Sequence, residues 1–271
     1  MFKRRRGITI SDLPKYLARG CGQGVGTSYS PMIHIQDFPS KGWRYREYGW
    51  TTERQHDYLS SHEYHYHFIL DWSKIVVDIQ EQFPLLPIAQ TIEIAHQLGI
   101  RYPSAGSPRE PVVMTTDFLI TIQRPIGVIK LARTIKPAKE LEDRRTIEKF
   151  EIERRFWLSR GIHWAIVTEN EIDLVLSENI RWVHKFLQPS SLAPLTQQAI
   201  SQIATNLTRM LLDSTESLSS VALACDRRLS LKPGQSLVVA RHLIASRQWD
   251  VDMTKPIHPL DKNLVLLGTL V

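Results

Sequence analysis

The 271-residue sequence predicts an α/β chain built in two parts, and three observations carry that prediction. First, VVMTTDFLITI (112–122) and VIKLARTIKP (128–137) are apolar runs separated only by the break Arg124-Pro125-Ile126-Gly127, which is the pattern of an antiparallel hairpin. Second, a charged helical pattern over 137–161 joins the second run to a third, HWAIVTE (163–169), so 127–169 reads as a β-α-β unit with parallel strands. Third, after Thr168 the chain becomes mostly helical and closes in two short strands, which separates an N-terminal part, 1–172, from a C-terminal part, 173–271.

The composition supports this. A hydrophobic content of 42% is enough for a packed core. No apolar run approaches the ~18 residues that a membrane helix needs, and the opening MFKRRRG lacks the apolar stretch of a secretory signal. Two cysteines, Cys21 and Cys225, make neither a disulfide framework nor a cysteine zinc site and fit a reducing, cytoplasmic setting. The net charge of +6 suits a polyanion such as nucleic acid, and Lys3-Arg4-Arg5-Arg6 reads equally as a phosphate contact or a solubilising tail.

In chain order, the alternating glycines of 20–26 have neither the preceding strand nor the following Lys-Ser/Thr of a phosphate-binding turn, and they read as a loop packed down by the fold. Residues 53–70 follow a helical period that places Leu59, Glu63, Tyr66 and Leu70 on one stripe. A carboxylate on such a face is costly unless it is paired or binds a metal. His62, His65 and His67 do not share one face and read as solvated. A short strand, 74–80, is expected to end at the prolines of EQFPLLP, followed by a helix over 91–100 and a proline-rich turn region over 101–111.

In the hairpin, alternation puts Asp117, Leu119 and Thr121 on one face and Phe118, Ile120 and Ile122 on the other. Val128, Lys130, Ala132, Thr134 and Lys136 share a face of the second strand, which Pro137 ends. The helix 137–161 buries Ile147, Phe150 and Trp157. Helices over 170–187, 191–212 (with Leu195, Ala199, Ile203 and Leu207 inward), 217–228 and 234–247 precede the two final strands. Helix, turn, helix and a two-stranded wing make a winged-helix pattern, in which Arg241, His242 and Arg247 face DNA or an apolar helix docks protein.

An acid within one strand and a lysine at the end of the next suit metal-dependent phosphodiester cleavage, in which Mg²⁺ held by carboxylates positions water and neutralises charge. Asp117 is the natural ligand, Glu63 can reach the same pocket from its helix, and Lys136 supplies a fixed positive charge with Thr134 beside it. The other reading of Asp117 and Lys136 is a buried salt bridge.

The segments GCGQGVGTSYSPMIHIQDFPSKGWRYR (20–46), LSSHEYHYHFILDW (59–72), DIQEQFPLLP (78–87), VMTTDFLITI (113–122), IKPAKELEDRRTIEKFEIERRFW (135–157), IHWAIVTENEI (162–172) and ENIRWV (178–183) together resemble the TnsA family. That family is the endonuclease subunit of heteromeric cut-and-paste transposons of the Tn-seven type and of their CRISPR-associated relatives. The resemblance implies an N-terminal restriction-endonuclease-like PD-(D/E)xK domain and a C-terminal winged-helix-like domain. It implies catalytic roles for Glu63, Asp117, Thr134 and Lys136, and one or two Mg²⁺ (or Mn²⁺) ions held by Glu63, Asp117 and the backbone carbonyl of Ile135. Thr134 stands where the family usually has Gln and restriction enzymes have Glu, and its hydroxyl is the weaker ligand. Thr116 replaces the proline of the motif, which is not a ligand.

The implied function is cleavage of the 5′ strands at transposon ends, while a TnsB-type DDE transposase cuts and joins the 3′ strands and a TnsC-type AAA+ ATPase docks on the C-terminal domain. Transposon-end DNA is the implied substrate and the nucleoid the implied place of action. The alternative is an inactive adaptor that recruits the ATPase and transposase, a reading that Thr134 keeps open.

Overall fold

The computed structural model describes residues 7–37, 45–261 and 264–270. The basic cluster 3–6 therefore lies outside the described residues. The chain forms two compact units, Met1–Ile172 and Asp173–Val271.

The N-terminal unit begins with helix α1 (Leu13–Ala18) and a glycine-rich loop. Gly22 and Gly24 both have positive φ. A Cβ on Gly22 would lie 2.5 Å from the Pro84 ring, and one on Gly24 would lie 2.4 Å from the Ser28 carbonyl, so no other residue fits either position. The loop is fastened to the sheet by the Gly26 N–H on Asp78 and the Gln80 amide on the Gly24 carbonyl.

Strands β1 (Tyr45–Tyr48) and β2 (Gln55–Tyr58) pair antiparallel, and helix α2 follows at Ser61–Trp72. The expected helix over 53–70 thus divides into a strand and a shorter helix. The physical reason is the Ser60 N-cap: its hydroxyl accepts from the Glu63 N–H and starts the helix there. His67, expected on a solvated face, is fully buried and packs against the His56, Tyr58 and Phe68 rings.

Strand β3 (Val76–Pro84) runs on through the expected proline break. Pro84 closes the strand opposite Thr115, and Gln82 at φ +47° bends it two residues earlier. Helix α3 (Ile88–Gln97), the short pair β4 (Ser104–Ala105) and β5 (Glu110–Pro111), and the hairpin β6 (Thr115–Arg124) and β7 (Gly127–Ile135) come next. Helix α4 spans Arg144–Leu158 and strand β8 spans His163–Val167. Pro137 starts a 3₁₀ turn over Ala138–Glu142, and α4 itself is capped by the Asp143 carboxylate on the Thr146 N–H.

The four-stranded sheet has the order β3-β6-β7-β8, with β7 and β8 parallel and the other pairs antiparallel. Both faces are covered. Phe118, Ile120 and Ile122 pack with Tyr58, Leu70 and Ile79 on one face, and Leu119 and Ala132 pack with Leu85, Phe156 and Trp157 on the other. In α4 the buried residues are Thr146, Ile152, Glu153, Phe156 and Trp157, whereas Ile147 is exposed.

The C-terminal unit contains α5 (Leu174–His184), α6 (Gln197–Leu212), α7 (Leu218–Arg228), α8 (Gln235–Ala245) and the antiparallel pair β9 (Trp249–Val251) and β10 (Leu266–Thr269). Thr196 caps α6, so the inward stripe is Ile200, Ile203, Ala204, Leu207 and Leu211, and Leu195 precedes the helix. Asp226 near the end of α7 accepts from the Gly234 and Ser236 N–H groups and fixes the start of α8. Trp249 donates to the Thr208 hydroxyl and ties β9 to α6. Among the described residues no helix is long and apolar enough to cross a membrane.

Candidate active site

At Asp117 the β6–β7 ladder opens. The last paired residues are Phe118 and Arg133, and beyond them the Asp117 Oδ2 accepts the Ile135 N–H at 2.7 Å in place of a strand carbonyl. A carboxylate thereby becomes part of the backbone wall of a pocket. Asp117 is held from the other side by the Gln82 amide, 3.2 Å from its Oδ1.

The same amide nitrogen lies 3.4 Å from Glu63 Oε2, so Gln82 bridges the two acids. Glu63 is the third residue of α2, where its carboxylate also accepts from the Leu59 N–H and the Ser60 hydroxyl. The bend at Gln82 makes the bridge possible, because a left-handed φ turns this side chain out of the regular alternation of β3. The Gln82 side-chain amide oxygen Oε1 is in turn anchored by the Thr115 hydroxyl, which donates to it at 3.1 Å.

Two acids bridged by one amide, one of them buried, repel. Burial, and then the Asp117 charge, push the Glu63 carboxyl well above the usual carboxylate range. Burial raises Asp117 as well, against the lowering effects of the Ile135 N–H, the Gln82 amide and the Lys136 charge. Among the described residues neither acid forms an ion pair, so the salt bridge between Asp117 and Lys136 is not formed. Lys136 instead reaches Glu140 at 2.6 Å from a partly exposed position.

Thr134 faces elsewhere. Its hydroxyl donates to Glu153 Oε1 at 2.5 Å and receives the Trp164 indole N–H at 3.1 Å. Thr116 donates to the same Glu153 oxygen at 2.6 Å and accepts from the Trp157 indole. Burial pushes the Glu153 carboxyl up to about 7, with the Asp117 charge contributing. The structure therefore gathers Glu63, Asp117 and the Ile135 backbone, sets Lys136 within electrostatic reach, and ties Thr134 to a second buried acid.

Sequence reasoning missed Gln82 and Glu153. Gln82 sits in a segment that reads as a proline break. Glu153 is hidden among the charges of α4, and its signal is its helical spacing one position after Ile152 and three before Phe156, on the buried stripe.

A mixed sheet with two converging carboxylates at the open end of its central hairpin, followed by a separate helical unit, is the architecture of an α/β protein with an acid pair in its N-terminal half. Residues 73–169 match the family described as TnsA-like endonuclease N terminal, and residues 171–253 match TnsA endonuclease C terminal. The transposition protein TnsA of transposon Tn7 from Escherichia coli is 35% identical over 247 residues, covering 91% of this chain and 87% of that relative. The chain belongs to the TnsA endonuclease family.

Proposed function

We propose that the chain is the endonuclease subunit of a heteromeric transposase and hydrolyses the 5′ strands at transposon ends with a divalent metal, Mg²⁺ or Mn²⁺, held by Glu63, Asp117 and the Ile135 carbonyl. The observation that carries this reading is the pairing of buried Glu63 with partly buried Asp117, joined by one amide and forming no ion pair among the described residues. Two converging carboxylates that form no ion pair suit one hard cation, or two.

When bound, such an ion supplies Lewis-acid stabilisation of the phosphoryl group and a more acidic water. Glu63 and Asp117 must both be deprotonated to hold it. The Ile135 N–H and the Gln82 amide keep their oxygens converged. Lys136 places positive charge beside the pocket, where charge builds on the phosphate during attack. Thr134, committed to Glu153, braces β7 behind the pocket.

The N-terminal unit fits a restriction-endonuclease-like PD-(D/E)xK nuclease, and the C-terminal unit, in which α6, α7 and α8 precede a two-stranded wing, fits a winged helix. Its role is protein docking, on the TnsC-type ATPase, rather than DNA reading. The Arg241 guanidinium stacks over Trp182 and Phe186, at 4.6 and 5.0 Å from the ring centres, and His242 Nδ1 is 2.8 Å from the Phe186 carbonyl. Two of the three side chains that would have faced DNA are committed to their own unit.

In the complex assembled with a TnsB-type transposase on transposon-end DNA, Asp117→Ala is expected to abolish 5′-strand nicking while 3′-strand cutting continues. Nicking that persists would show that Asp117 is not the metal ligand.

A further inference from the structure

We propose that Lys149 is a DNA-contact residue of this active site, binding a phosphate that flanks the scissile one on the cleaved strand. The inference rests on the nuclease reading above.

Position comes first. Arg145, Lys149 and Glu153 are spaced i, i+4 and i+8 on α4 and so share one face. Glu153 is fixed against β7 by the Thr134 hydroxyl. Because α4 returns the chain from the end of β7 to the start of the parallel strand β8, it runs antiparallel to β7. One turn back from Glu153, Lys149 is carried past the end of β7 to where Lys136 emerges, two residues beyond Thr134. The charges agree with this. Burial, then the Lys136 and Arg145 charges, push the half-buried Lys149 ammonium below its usual value, against the weaker opposing pull of Asp143 and Glu140.

The neighbouring acids offset this only in part, because each is engaged elsewhere. Glu140 is taken by Lys136, Asp143 by the Thr146 N–H and hydroxyl, and Glu148 by Arg144 and Arg145. Arg145 also donates to the Arg101 carbonyl. Among the described residues the Lys149 ammonium forms no ion pair and no hydrogen bond. A half-desolvated cation beside two others is unfavourable in the free protein, and it is balanced when an anion arrives. The phosphate next to the scissile bond is the anion that a nuclease brings to this place.

The test uses the assembled transposase on end DNA, with Lys149→Ala, Lys149→Arg and Lys149→Gln, and with single methylphosphonates at the phosphates flanking the 5′ nick. Lys149→Ala is expected to slow 5′ nicking on the order of 10²-fold, with Lys149→Arg recovering most of it. One methylphosphonate position should slow the wild-type by a similar factor and the Lys149→Ala protein by little more, which marks the contact as shared. Lys149→Gln should melt no lower than wild-type.

Fully additive losses at every position, or a lower melting temperature, would overturn the proposal by assigning Lys149 a structural role. Wild-type nicking by Lys149→Ala, with Asp117→Ala inactive, would overturn it alone. Undiminished nicking by both variants would instead remove the nuclease reading beneath it.

Discussion

Gln82 contributes more to the pocket than its place in the sequence suggests. Its amide donates toward Glu63 and Asp117, its side-chain oxygen is held by Thr115, and its backbone sits in the left-handed region that side chains rarely adopt. Residues that orient metal ligands without touching the metal typically contribute ~10–100-fold to affinity or activity. Gln82→Ala is therefore expected to raise the Mg²⁺ concentration for half-maximal 5′ nicking by about tenfold or more, while saturating Mg²⁺ recovers part of the rate. A Mg²⁺ dependence identical to wild-type would show that the bridge is incidental. Asp117 and Lys136 were legible in the sequence as an acid and a lysine on consecutive strands, and Glu63 as an acid on a helical stripe. Gln82 was not, because nothing local marks a left-handed glutamine in a strand whose sequence reads as ending at prolines.

Strand β3 carries Gln82 and is held in place by a buried ionic cluster next to it. Arg54 on the turn before β2 donates to both oxygens of Glu81, at 2.8 and 2.5 Å, and to the Ile79 carbonyl. His56 Nδ1 lies 2.8 Å from the same carboxylate, and the Thr52 hydroxyl lies 2.6 Å from His56 Nε2. Burial alone would raise Glu81, but His56 and Arg54 outweigh it and hold the carboxyl well below its usual range. Removing one partner of such a pair leaves an uncompensated buried charge. Arg54→Met is expected to destabilise the protein by ~3–5 kcal/mol, read as the loss of unfolding free energy in urea. A loss under about 1 kcal/mol would show that Glu81 finds another partner or takes a proton at little cost.

At this level sequence reading succeeded where periodicity was uninterrupted, as in the hairpin and the β-α-β unit. It failed where a cap or a bend overrode the period. Ser60 cut the helix at 53–70 into strand and helix, and Asp143 moved the start of α4 away from Pro137.

Each of the two units has its own buried core, and their boundary at 172/173 coincides with a change from strand-rich to helical sequence. If the C-terminal unit serves docking, deleting 173–271 should abolish binding to the TnsC-type ATPase in a pull-down. Retained ATPase binding would move the docking surface to the N-terminal unit. Its helices were legible in outline, but the inward commitment of Arg241 and His242 was not, since a cation on an apolar helix stacks on aromatics as readily as it reaches outward.

The central claim is that Glu63 and Asp117 together hold one divalent ion. Because both carboxyls are raised above their usual range, protons compete with the metal, and affinity must rise with pH. The decisive experiment is a Mn²⁺ titration of the isolated protein, followed by electron paramagnetic resonance at pH 6 and pH 8. One Mn²⁺ ion should bind more tightly at pH 8, and Glu63→Gln or Asp117→Asn alone should weaken it on the order of 10²-fold. Equal binding at both pH values and in both variants would place the metal elsewhere and contradict the account.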